Sequence, residues 1–136
     1  MKKHLAPEDK NNPSTVNLEQ LSGYLGYQIR QAQISVFRDL FDSLEHLNLT
    51  PGEFSLLISV KNNRGVSQIE LANVYDIDKS TLSHSVKRMV QRGLISRRRL
   101  KNDRRYYGLS LSITGEGLLG EVTKIVETQE ILMASV

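Results

Sequence analysis

The sequence has no cysteine, which excludes disulfide frameworks, thiolate-ligated metal, thiol catalysis and thiol-based redox sensing. No apolar run approaches the roughly 18 residues needed to cross a bilayer. The first residues, Met1-Lys2-Lys3-His4-Leu5-Ala6-Pro7, turn polar at once and offer no signal-peptide core. Compositional extremes are missing too: with 39% hydrophobic and 24% charged residues, the chain has matter for a packed core and too little bias for disorder. These absences lead to the expectation of a soluble, cytoplasmic, single-domain protein of 136 residues that has no membrane partner.

One further absence is local. No Asp or Glu occurs from Lys79 to Asn102. The 27 residues from Lys79 to Arg105 hold ten basic side chains (Lys79, Lys87, Arg88, Arg92, Arg97, Arg98, Arg99, Lys101, Arg104, Arg105) and one acid, Asp103, a formal charge of +9. The other 109 residues, eight basic and fourteen acidic, carry −6. The overall +3 thus conceals a basic segment on an acidic body, the pattern of a chain that meets a polyanion at one place. A solvated basic loop is the plainer alternative.

Residues 1–17 are polar, with Pro7, Pro13 and two adjacent Asn, and read as a flexible arm. From Leu18 to Leu47 apolar residues recur with a mean spacing of 3.6, which predicts one amphipathic helix. Such a helix would be roughly 45 Å long, against a radius of gyration of about 14 Å for a compact domain of this size. A second copy of the chain is the expected cover for the overhang. Gly23 and Gly26 inside it each cost about 1 kcal/mol relative to Ala. Close packing is the leading account of them, ahead of a small-molecule niche, a kink or a later helix start.

Thr50-Pro51-Gly52-Glu53 and Ser67-Gln68-Ile69-Glu70 are capping boxes that open helices running to about Lys61 and Tyr75. Asp78 caps a further helix, Lys79 to Gln91, that Gly93 ends. The tight turn Asp76-Ile77-Asp78 makes the pair a helix-turn-helix. Leu94–Leu100 and Arg105–Ser112 then read as a hairpin closed by Lys101-Asn102-Asp103-Arg104. Thr114 is taken to cap a last helix with an apolar stripe at Leu118, Val122, Ile125, Val126, Leu132 and Met133. Its apolar end suggests burial against a partner, or a chain shortened from something longer.

In the 79–91 helix, Leu82, Val86, Met89 and Val90 should face inward and Ser80, Ser83, His84, Lys87 and Gln91 outward, with Lys79 and Thr81 on the first turn. The outward set is short, hydrogen-bonding and free of acids, as a helix seated in a DNA major groove requires. Ser80, Thr81 and the helix N-terminus could also hold a backbone phosphate. In the hairpin, Arg97, Arg98, Arg99, Lys101, Arg104 and Arg105 repel one another unless phosphates neutralise them. Arg104 or Arg105 could enter a minor groove, and Asp103 could orient one arginine by a bidentate pair. The alternative for Asp103 is an ordinary turn residue.

On these features the chain resembles the MarR family of winged-helix transcriptional regulators over about Leu18 to Val136. The most specific matches are Asp78-Lys79-Ser80-Thr81-Leu82, the helix end Gly93-Leu94-Ile95, and the Asp-x-Arg wing, here Asp103 and Arg105. The resemblance implies a mainly α fold with a small β-hairpin wing. The DNA-binding lobe would span 50–113, between dimerisation helices at 18–48 and 115–136. It also implies a cytoplasmic, bacterial or archaeal homodimeric repressor, nucleoid-associated when bound to a pseudo-palindromic operator. The DNA-contacting residues would be Lys79, Ser80, Thr81, Ser83, His84, Lys87, Arg88 and Gln91, with the wing residues Arg97 to Arg99, Lys101 and Asp103 to Arg105. Many members release DNA on binding a small aromatic or anionic effector, whose niche would lie near Tyr24, Tyr27, Phe37 and Arg38. Two features depart from the family: members usually continue into another helix beyond the position of Val136, and the peroxide-sensing cysteine is absent.

Other signals carry less. Gly115-Glu116-Gly117-Leu118-Leu119-Gly120 matches G-x-G-x-x-G, but 16 further residues cannot complete a βαβ unit. Flexible glycines at a helix start are the expected account. His4, His46 and His84 lack metal-ligand spacing, and no catalytic constellation or cofactor motif assembles. The competing expectation is a winged-helix module that docks its basic face on an acidic protein.

Overall fold

The computed structural model describes residues 16–135, so the arm predicted at 1–17 lies almost wholly outside the described residues. The order of elements is α1 (Glu19–Ser22), α2 (Leu25–Leu44), a 3-10 turn (Glu45–Leu47), α3 (Pro51–Asn62), β1 (Val66–Ser67), α4 (Gln68–Tyr75), α5 (Lys79–Gln91), β2 (Ile95–Arg99), β3 (Tyr107–Leu111) and α6 (Ile113–Ala134). The chain divides into two units, one ending at Val36 and the other starting at Phe37, where one domain from residue 18 was expected. The reason is burial: no residue of α1 and only Leu44 of α2 is buried.

In the first unit the expected single helix is interrupted. The Gly23 N–H bonds back to the Gln20 carbonyl (3.3 Å), which closes α1, and the Gln28 side-chain amide donates to the Ser22 carbonyl (2.9 Å) left over by that break. Among the described residues of the chain nothing packs closely at Gly26, where a Cβ would meet nothing within 4 Å. The break answers to the alternative of a later helix start.

The second unit holds the core. Leu44, Leu49, Leu56, Leu57, Val60, Leu71, Ala72, Leu82, Val86, Met89, Leu94, Ile95, Leu109, Leu119 and Val122 form one buried cluster. Both capping boxes are present: Thr50 with Glu53 on α3, and Ser67 with Glu70 on α4. Asp76 adopts a left-handed conformation in the turn before α5. Gly93, at φ 71°, ends α5 with bonds from Gly93 N–H to Val90 O (2.9 Å) and Leu94 N–H to Met89 O (3.0 Å), a Schellman closure. The sheet is three-stranded and antiparallel in the order β1-β3-β2, so β1 is an addition to the predicted hairpin. Gly108 lets β3 pass the Gly65 backbone, because a Cβ would fall 2.9 Å from Gly65 O.

The cap of α6 is Ser112 rather than Thr114. Its hydroxyl oxygen accepts from Gly115 N–H (2.9 Å), and its O–H donates to the Gly93 carbonyl. Ser112 N–H donates to Leu94 O (3.0 Å), so the last helix is moored to the end of α5. Among the described residues no helix is long and apolar enough to cross a membrane.

Candidate nucleic-acid interface

Leu82, Val86 and Met89 seat α5 on the core, while Lys79, Ser80, Thr81, Ser83, His84, Lys87 and Gln91 are exposed. The helix therefore offers a ridge of polar and basic groups without an acid after its cap. That cap is Asp78, which accepts from Thr81 N–H (2.9 Å) and from the hydroxyls of both Ser80 and Thr81. Each hydroxyl has one hydrogen, and here both are given to Asp78. In this arrangement Ser80 and Thr81 are left with lone pairs that can accept from a donor, whereas donation to a phosphate would require the hydroxyl to leave Asp78.

The hydroxyl bonds from Ser80 and Thr81 hold the Asp78 carboxyl well below the ordinary Asp range. The backbone and hydroxyl of Ser67 lower Glu70 in the same way. Folded values below the unfolded ones mean stability that is complete only above about pH 5, clear of the unfolded values, and is lost as pH falls towards the folded ones. The stability difference between wild type and Asp78→Asn is therefore expected to shrink between pH 6 and pH 2.5 in denaturant titrations. A constant gap would contradict this assignment.

The wing is ordered by its own charges. Asp103 takes Arg105 in a fork, with Nε to Oδ1 at 3.0 Å and Nη2 to Oδ2 at 2.8 Å, and accepts Arg105 N–H at 3.1 Å. The pair inferred from sequence is thus present. It lowers the Asp103 carboxyl and raises the guanidinium of Arg105. The Arg105 side chain remains 82% exposed at the tip. Arg97 and Arg99 share one face of β2 and lie 5.4 and 4.9 Å from the ring centroid of Tyr107, which pairs with Arg99 in register. Arg99 also donates to the Arg104 carbonyl. Cation–π contact thus relieves part of the expected repulsion. Tyr107 was read only as a strand residue, although an Arg-x-Arg strand opposite an aromatic carries the signal. Arg98 falls on the other face of β2, and Arg98, Lys101 and Arg104 are exposed.

Arg88 and Arg92 sit differently. Arg88 pairs with the buried Glu53 (3.1 Å) and donates to Asn48 O (3.2 Å) and Asn48 Oδ1 (3.0 Å). Arg92 donates to Asn48 O (2.6 Å) and Leu47 O (3.0 Å). Of the expected effector residues, Tyr24 and Tyr27 belong to the first unit and Phe37 and Arg38 to the second. Tyr24 and Phe37 are exposed. A groove of about 640 Å³ in the second unit has a different lining, including Asp39 and Ser43 of α2 and Lys124, Ile125 and Leu132 of α6. His46 lies on the 3-10 turn and His84 on α5, and His4 is outside the described residues.

A helix-turn-helix with an acid-free outer ridge, followed by a basic β-wing, defines a winged helix-turn-helix DNA-binding protein. The sequence profile of the MarR family matches residues 49–107. A protein of Thauera aromatica named for transcriptional regulation of the hcr operon is 30% identical over 131 residues, covering 96% of this chain and 79% of that one. The transcriptional repressor CouR, solved bound to a 23-mer DNA duplex, matches with a TM-score of 0.79 and 32% identity over 84% of this chain and 80% of that one. CouR bound to p-coumaroyl-CoA matches with a TM-score of 0.80 and 29% identity over 88% and 84%. The chain belongs to the MarR family of winged helix-turn-helix regulators, which are DNA-binding proteins rather than enzymes.

Proposed function

We propose that the protein is a homodimeric repressor that binds a pseudo-palindromic operator, with α5 in the major groove and the wing tip in the adjacent minor groove. The observation that carries this reading is the pairing of an acid-free ridge on α5 with an exposed, carboxylate-oriented Arg105 on the wing. Base edges are met by Ser80, Thr81, Ser83, His84 and Gln91. Phosphates are met by Lys79, Lys87, Arg98, Lys101 and Arg104. Exposed apolar side chains, Phe37 and Phe41 on α2 and Ile131 and Leu132 on α6, support cover by a second copy. CouR has been solved bound to DNA and, in a separate structure, to p-coumaroyl-CoA, which supports extending the reading to a small aromatic or anionic effector. The protein then works in the cytoplasm, on the nucleoid.

Selection of bound duplexes from a random pool tests the proposal. The expected product is an inverted repeat with half-sites about one helical turn apart. A pool that stays random after repeated rounds would leave docking on an acidic protein as the better account of the basic face.

A further inference from the structure

The ten basic residues of the 79–105 segment do not all face the same partner. Arg88 in the last turn of α5 and Arg92 at its C-cap point their guanidinium groups at the protein itself. Together they take the carbonyls of Leu47 and Asn48 and the Asn48 side chain. These are orphan acceptors where the 3-10 turn after α2 ends, with Asn48 in a left-handed conformation at φ 51°. Arg88 also supplies the ionic partner of Glu53, which is 5% exposed. The two Glu53 oxygens are divided: Oε2 accepts from Thr50 N–H at 3.0 Å, and Oε1 meets Arg88 Nη1 at 3.1 Å. If Arg88 swung out to a phosphate, it would abandon a buried carboxylate, and an unpaired buried charge is strongly unfavourable.

From this geometry we infer that Arg88 is a positioning residue for DNA binding: with Glu53 and Arg92 it clamps α5 to the end of the 3-10 turn and the start of α3, and it does not touch the DNA. The inference rests on the DNA-binding reading above and gives a different role to one residue that the sequence placed among the DNA contacts. The clamp grips α5 in its last two turns, while Lys79 to Lys87 project from the rest of the helix, so it sets the angle at which that ridge is presented. The fork is specific to arginine. A lysine keeps the charge but offers a single nitrogen, which cannot hold Glu53 and both Asn48 oxygens at once.

The test is a titration of the selected duplex from 50 to 200 mM salt with wild type, Arg88→Lys, Arg88→Ala and Lys87→Ala. Circular dichroism checks the fold of each at the assay temperature. A phosphate contact contributes about 0.9 to the slope of log affinity against log salt. Lys87→Ala should lose about twice that amount, one contact in each protomer of the dimer. Arg88→Lys should weaken binding at least about fivefold, with the wild-type slope and helical content retained. Loss of stability alone would lower the melting temperature and leave the affinity of the folded protein unchanged. Wild-type affinity in Arg88→Lys, or a slope lowered by about 1.8 in Arg88→Ala, would overturn the clamp while leaving the DNA reading in place. A wild-type protein that binds no duplex would overturn both.

Discussion

Raising salt from 50 to 200 mM is expected to weaken binding of the selected duplex by about 10³- to 10⁵-fold, the consequence of six to ten phosphate contacts in the proposed dimer. That number follows from the charges the structure leaves available. Arg88 and Arg92 are turned inward, Arg97 and Arg99 lie over Tyr107, and Arg105 is paired with Asp103. Lys79, Lys87, Arg98, Lys101 and Arg104 remain exposed, and among the described residues none of them forms an ion pair. Five per protomer gives an upper bound of ten for a pair of protomers. The acidic remainder of the chain repels DNA elsewhere, which confines the salt-dependent contacts to this face. Fluorescence anisotropy titrations should therefore give a log–log slope of about −5 to −9. A slope near zero would contradict a phosphate-contacting face.

The second large effect concerns folding. Gly115→Ala should destabilise the protein by about 3 kcal/mol, lowering its melting temperature by roughly 10 °C. Gly115 is buried in the first turn of α6, and a Cβ there would fall 2.1 Å from the Leu94 carbonyl oxygen and 3.0 Å from its carbon. Both are backbone atoms, so no side chain can swing aside. The same carbonyl accepts from Ser112 N–H, and that bond must break if the segments part. Gly117 and Gly120 are the controls: a Cβ at either meets nothing within 4 Å. Alanine there should leave stability unchanged or raise it by roughly 0.5–1 kcal/mol. Equal thermal melts for Gly115→Ala and Gly117→Ala would contradict this account.

The contrast among these glycines shows what was legible in the sequence. Flexibility was the expected reason for the whole Gly115–Gly120 motif, and at Gly115 the reason is a close backbone approach. Local signals translated well. The Thr50 and Ser67 capping boxes, the Asp78 cap and the Gly93 stop all act over three to five residues, and each appears where its residue types implied. The division of α5 into buried and exposed faces was equally local. Features that depend on distant residues stayed hidden. Strand β1 is two residues long and exists only through its pairing with Leu109 and Gly108. The cap of α6 moved from Thr114 to Ser112 because Ser112 also bonds the end of α5. Arg88 looked like any other basic residue of its segment, since its partners lie up to 40 positions away. The long first helix is present as α2, but its continuity back to Leu18 is not: the periodicity was clear, yet with so little of it buried, local geometry at Gly23 decides where it breaks.

The central claim is that this face reads sequence and does not merely attract polyanions. The direct measurement is a competition at 150 mM salt between the selected duplex and a scrambled duplex of the same length and base composition. The account predicts preference for the selected sequence by about 10³-fold or more. Equal affinity for the two duplexes would contradict it.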